Sequence, residues 1–225
     1  MTILPNIITI GNLLCGLSAI AFALKHEPLL SAHMIFFGMV LDFLDGKIAR
    51  FTHSVSHIGT YLDSIADIVS FGIAPVILTY VLCPADYKKG ISFFLFLYAA
   101  SGVFRLVRYT LNSKIKRKET FSGIPIPAAA GSILSFMLIY LHTRMSFPYV
   151  IGTCIIIFNA VLMSSTLPYQ HLSKILKNFP SYVKITFLIV STIAFLSGYY
   201  YAVLFLCFML YTVFGIKWHG SYETK

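Results

Sequence analysis

Apolar residues along this chain come in long unbroken runs, not in alternating or striped patterns. Eight runs stand out, approximately 3–24, 29–50, 60–82, 91–111, 124–142, 147–167, 183–197 and 199–216. About 20 apolar residues in a helix span the hydrocarbon core of a bilayer, so these runs predict membrane-crossing helices. Pro28, Pro84 and Pro148 mark turns between runs, and Pro168 closes the sixth. The last two runs are short and parted only at Ser197 and Gly198. The expected fold class is therefore all-α: a polytopic membrane helical bundle of six core transmembrane helices plus a C-terminal hairpin of two. A single membrane-embedded domain over residues 1–225 is expected, with its core at about 1–167 and the hairpin at about 183–216.

Composition agrees with that pattern. Hydrophobic residues make up 58% of the 225 and charged residues 11%, where a soluble domain carries about 25% charged. The mean hydropathy is +0.82. No basic residue precedes Lys25 and no small-residue cleavage pattern follows the first run, so it is expected to remain as a helix and not to be removed as a signal peptide. The four cysteines are far apart and form no Cys-x-x-Cys, which removes a zinc site or disulfide frame from consideration.

The net charge of +9 changes the picture only in orientation. No folded basic module is present, so nucleic acid is not an expected partner. With the N-terminus in the cytoplasm, thirteen of the 17 Lys and Arg fall on the cytoplasmic side. The positive-inside rule then predicts cytoplasmic N- and C-termini in the cell's inner (cytoplasmic) membrane. The basic run Lys114–Lys118 is expected to meet anionic membrane lipids.

Polar interruptions of the apolar runs carry the chemistry. The chain has eight acidic residues, and Asp42, Asp45, Asp63 and Asp67 fall within one 26-residue stretch. A carboxylate inside a membrane segment is costly and usually marks function. Asp42, Asp45, Gly46 and Ala49 recur at i, i+3, i+4, i+7, on one face of a helix. Gly59, Asp63 and Asp67 recur at i, i+4, i+8 on the next. A turn including His53, Ser54, Ser56 and His57 would set the two helices antiparallel, with their carboxylates facing across one or two divalent ions. An all-oxygen ligand set favours Mg²⁺ or Mn²⁺ over zinc. Small residues at Gly46, Ala49 and Gly59 would let a phosphorylated ligand approach closely, and Arg50 adds a cation suited to phosphate. Small faces are often mere packing contacts, and a lone intramembrane Asp can be a proton relay. Four Asp in two helical pairs are harder to explain in either way.

Read from Asp42, the stretch is D-F-L-D-G-K-I-A-R, eight residues, then G-T-Y-L-D-S-I-A-D. It resembles the signature of the CDP-alcohol phosphotransferase family, D-x2-D-G-x2-A-R-x8-G-x3-D-x3-D. The resemblance implies a membrane homodimer of protomers with six core helices each and a cytoplasm-facing polar cavity. It also implies metal-dependent transfer of a substituted phosphate from a CDP-linked donor to an alcohol, with release of CMP. By position, Asp42, Asp45, Asp63 and Asp67 resemble the ligands of two Mg²⁺ or Mn²⁺ ions, with Asp67 also the general base. Gly46, Ala49, Arg50 and Gly59 resemble the CDP-binding residues.

Three further segments narrow the acceptor. L-P-N-I-I-T-I-G-N-L-L-C-G at 4–16, F-R-L-V-R-Y at 104–109 and F-S-G-I-P-I-P-A-A-A at 121–130 are similar to the phosphatidylserine synthase branch of the family. That similarity implies CDP-diacylglycerol as donor and L-serine as acceptor. Glycerol 3-phosphate or inositol is the alternative acceptor, and an ion-coupled carrier the remote alternative. Arg105 and Arg108, at i, i+3, are candidates to meet the acceptor carboxylate or a lipid phosphate, against the plainer reading of interfacial anchors. Asn6, Thr9 and Asn12 line one side of the first helix as hydrogen-bonding candidates, for substrate or for neighbouring helices. The last two runs carry no evident chemistry.

Overall fold

The structure, a computed structural model, describes residues 3–51, 57–113, 120–143, 148–170 and 180–216. Helix α1 (Ile3–Leu24) turns through His26, in the left-handed region at φ 60°, into α2 (Pro28–Phe51). Pro28 opens α2, where its missing N–H costs no helical bond. The third span is α3 (His57–Asp67), a π-helical turn at Ile68–Ile73 and α4 (Ala74–Leu82). A short 3₁₀ turn leads to α5 (Lys88–Ser113). Then follow β1 (Thr120–Ser122), α6 (Ile126–Thr143), α7 (Tyr149–Ser164), β2 (Pro168–Gln170), α8 (Ser181–Leu196) and α9 (Tyr200–Phe214).

Among the described residues, five helical stretches are long and apolar enough to cross a membrane: Pro5–Leu24, Pro28–Ala49, Gly59–Leu82, Ala85–Leu111 and Ile126–Thr143. The chain is an integral membrane protein, an all-α polytopic bundle. The sixth to eighth apolar runs form shorter helical segments, Tyr149–Ser164, Ile185–Ala194 and Tyr200–Phe214. Gly198, at φ 77°, ends α8 and starts the turn into α9, so the terminal runs are two helices. The turn expected at 52–56 and the basic run 114–118 lie outside the described residues.

Helix α6 is the axis of the bundle. Ala129 to Leu138 are buried without a break, so this helix meets protein on every side. α1 packs on α2, α5 on α7 and α9 on α6. The α9–α6 contact depends on Gly131, because the Phe208 ring occupies the place a Cβ would take. Asn159 of α7 donates to Ser132 of α6 at 2.8 Å. By contrast α8 packs on α9, and its apolar side chains point outward, Leu188 being 66% exposed. In a bilayer such a face meets acyl chains.

Two departures from the pattern of apolar runs matter for the site. The third span is not a uniform helix: the π-helical turn begins directly after Asp67. Such a turn disturbs the i→i−4 ladder, and outside groups tie it down. Tyr98 of α5 donates to the Phe71 carbonyl at 3.0 Å, and Ser70 donates to the Asn12 carbonyl of α1 at 2.9 Å. Gly16 makes the second contact possible, since a Cβ there would stand 2.8 Å from Ser70 Cα. The other departure is a small antiparallel pairing of β1 with β2, Phe121 opposite Tyr169.

Candidate active site

Helical spacing brings the carboxylates together as far as local geometry allows, and the tertiary fold selects among them. Asp42 from α2 and Asp63 and Asp67 from α3 each offer an oxygen, and these oxygens all lie within 4.8 Å of one another. Asp42 and Asp67 are within hydrogen-bonding reach. Asp67 is buried, and its Oδ1 has no hydrogen-bond partner among the described residues. A buried carboxylate oxygen without a donor is a costly arrangement unless a cation or proton completes it. Three clustered acidic oxygens suit a hard divalent cation, so the residues present fit one.

Asp45 stands apart from that trio. Its Oδ2 accepts from Thr9 Oγ1 of α1 at 2.8 Å, and its side chain also accepts from the Gly46 N–H. The same hydroxyl lies 3.0 Å from the Pro5 carbonyl, so two acceptors share one hydrogen. Asp45 remains close enough to Asp63 to repel it. Gly46 and Ala49 continue the face of α2 toward its C-terminal end, and Gly59 lies one turn before Asp63 on α3. Arg50 belongs to α2, its side chain falling outside the described ones.

Helix α5 supplies the basic side of the site. Arg105 is buried at 6% exposure and lies within electrostatic range of Asp67, Tyr109 and Tyr211. Arg108, one turn further, has other partners. Its Nη1 donates to the Ser164 carbonyl at 3.0 Å, and its Nη2 to the carbonyls of Ser122 and Ser165 at 2.8 and 2.7 Å. A longer contact of 3.3 Å reaches the Met163 carbonyl. These are the end of α7 and the turn into α6, so the guanidinium ties three segments together. Gly123 fits this knot because it takes φ +77° and carries no Cβ, which would stand 2.7 Å from the Met163 carbonyl.

Of the polar residues on α1, Thr9 contacts Asp45, and Asn12 presents its carbonyl to Ser70. The Asn12 carboxamide is fully buried and lacks a hydrogen-bond partner among the described residues. Tyr211 is the residue that sequence reasoning missed. It sits on α9, in an aromatic stretch with no polar periodicity, and only the fold carries it to Arg105.

A family model, CDP-alcohol phosphatidyltransferase, matches residues 2–165. The chain belongs to the CDP-alcohol phosphatidyltransferase family. The match covers every Asp of the cluster, both arginines of α5 and the whole of α1 to α7. Among relatives within this family, one from Bacillus subtilis is 35% identical over 174 residues, 77% of this chain and 93% of that protein. One from Methanocaldococcus jannaschii is 30% identical over 214 residues, 95% of this chain and 92% of its own length. A third, from Helicobacter pylori strain J99, is 28% identical over 185 residues, covering 80% and 76%. All three are named CDP-diacylglycerol–serine O-phosphatidyltransferase.

Proposed function

We propose that this protein transfers the phosphatidyl group of CDP-diacylglycerol to the hydroxyl of L-serine, giving phosphatidylserine and CMP. The observation that carries it is the convergence of Asp42, Asp63 and Asp67 beside the buried Arg105, in a chain of this family. The names of the relatives support the donor and the acceptor.

In the reaction the serine oxygen attacks the phosphorus that carries the diacylglycerol. A P–O bond to serine forms, and the P–O bond to the CMP moiety breaks. Asp67 accepts the serine hydroxyl proton, a role favoured by its buried, unpartnered Oδ1. Asp42, Asp63 and Asp67, with Asp45 beside them, are the residues that would hold one or two Mg²⁺ or Mn²⁺ ions. When bound, these ions neutralise the diphosphate and the charge developing on the leaving CMP. Gly46, Ala49 and Gly59 leave room for the nucleotide, with Arg50 as its phosphate partner. Arg105 offers its guanidinium to the serine carboxylate. Arg108 has its hydrogen bonds on backbone carbonyls, so its role is to shape the site and not to bind acceptor.

The charge bias of the loops supports an active site facing the cytoplasm in the inner membrane, with both termini on that side and basic residues against anionic lipid. Family membership supports a homodimer and sets the carrier reading aside.

Purified protein in detergent with CDP-diacylglycerol and Mn²⁺ or Mg²⁺ tests the reading by CMP release. Serine-dependent release that disappears in Asp67→Asn is the expected result. Release with glycerol 3-phosphate or inositol instead would retain the chemistry and replace the acceptor, and no release with any metal would overturn the proposal.

A further inference from the structure

The third span changes its winding directly after a candidate ligand, and a buried phenol fastens the change. Asp67 is the last residue of α3, and the π-helical turn Ile68–Ile73 follows without a break. At its far end the Ala74 N–H donates to the Val69 carbonyl, five residues back. In a regular α-helix the Phe71 carbonyl would accept the N–H of residue 75, but that residue is Pro75 and has none. Tyr98 of α5, buried at 1% exposure, supplies a donor in its place, its hydroxyl reaching the Phe71 carbonyl at 3.0 Å. On the other side the Asn12 carbonyl of α1 accepts from Ser70 Oγ at 2.9 Å.

The winding of this turn decides where the carboxylates of α3 point. Buried positions of the third span come in pairs four residues apart: Ala66 and Asp67, Ser70 and Phe71, Ala74 and Pro75, Leu78 and Thr79. An α-helix turns about 100° per residue, so a spacing of four drifts by about 40° a step and by about 120° over these three steps. The additional residue in a π-helical turn takes back about 100° of that drift. The buried stripe therefore stays on one side, and α1 packs along α3, the π-helical turn and α4 alike. Any change in the winding rotates α3 against α4. With α4 held in the core by Ala74 and Leu78, that rotation would carry Asp63 and Asp67 away from Asp42 on α2.

From this we infer that Tyr98 is a positioning residue for the reaction: its hydrogen bond to the Phe71 carbonyl fixes the phase of the π-helical turn and so aims Asp63 and Asp67 at the metal position they share with Asp42. Loss of the hydroxyl removes a donor from a buried stretch of backbone, which shifts to recover one. Tyr98 and Arg105, both buried, are seven residues apart on α5, about two turns, so one face of that helix carries both. The inference rests on reading Asp42, Asp63 and Asp67 as metal ligands.

The test measures Mn²⁺ binding to substrate-free protein in detergent, from the EPR signal of the free ion, with the Tm recorded in the absence of metal. Tyr98→Phe keeps the ring and removes only the hydroxyl. Its Kd for Mn²⁺ should rise about five-fold, the scale of one neutral hydrogen bond. Ser70→Ala, which cuts the tie to α1, should move the Kd in the same direction. Ile156→Val, at a fully buried position of α7, should lower the Tm and leave the Kd at the wild-type value. A wild-type Kd in Tyr98→Phe would overturn the inference, and so would an equal rise in Ile156→Val, since that is the signature of general destabilisation. If Tyr98→Phe does not fold, a wild-type Kd in Ser70→Ala overturns it. Failure of the proposed reaction reads differently: wild type would bind Mn²⁺ and release no CMP with serine. Wild type that binds no Mn²⁺ would overturn the metal site and this inference with it.

Discussion

The Thr9 hydroxyl of α1 reaches across to α2 and donates to Asp45 Oδ2 at 2.8 Å, inside the protein. The bond explains why Asp45 is set apart from the trio of Asp42, Asp63 and Asp67. It also makes α1 part of the site without placing a charge on it. Loss of the hydroxyl would leave a buried carboxylate with one donor fewer. Thr9→Val is expected to lower kcat/KM about ten-fold and to raise the metal concentration needed for half-maximal activity, while Thr9→Ser stays near wild type. Metal titrations of CMP release with the two variants check this.

Asp67→Asn preserves shape and removes the capacity to accept a proton. The expected loss in kcat is about 10²–10⁴-fold, the usual contribution of a general base. Rapid-quench measurement of CMP formation, with donor and acceptor saturating, would separate this from a binding defect.

The all-oxygen cluster predicts a metal requirement of a particular kind. Chelation by EDTA should abolish CMP release, and Mg²⁺ or Mn²⁺ should restore it. Zn²⁺, which prefers nitrogen and sulfur ligands, should restore little. Restoration by Zn²⁺ alone would contradict the ligand set.

Arg108 should behave as a structural residue. Its guanidinium donates to carbonyls of Ser122, Ser164 and Ser165. Arg108→Met would leave those acceptors unsatisfied and destabilise the protein by about 2–4 kcal/mol. Thermal unfolding in detergent should show it as a lowered Tm, with the serine KM of the surviving folded protein near wild type. A large rise in serine KM at unchanged Tm would instead make Arg108 a binding residue.

Gly123 gives an independent check on the same knot. At φ +77°, with the Met163 and Ser165 carbonyls 2.7 and 2.9 Å from the place of a Cβ, alanine is opposed by both backbone and neighbours. Gly123→Ala should cost about 1–3 kcal/mol of stability, read by the same unfolding measurement.

The sequence by itself determined the membrane class, the order of the helices and the pairing of carboxylates on helical faces. Apolar run length and the i, i+3, i+4 spacing are local properties, so Asp42, Asp63 and Asp67 could be gathered on paper before any packing was known. Local spacing could not separate Asp45 from its companions, because the hydroxyl that holds it lies 36 residues away on another helix. Nor could it separate Arg105 from Arg108, which share one face of α5. One turns to Asp67 and the other to backbone carbonyls only because α3, α7 and the turn at Gly123 arrive from different directions. The π-helical turn after Asp67 was equally silent in the sequence, since Ile68–Ile73 is as apolar as any helix and its irregularity is met by Tyr98 and Ser70. Tyr211 shows the division most plainly. Within an aromatic helix it is one apolar residue among many. Its proximity to a buried cation exists only because α9 packs against Gly131 of α6 and is latched at its end by Tyr169, contacts that join distant parts of the chain.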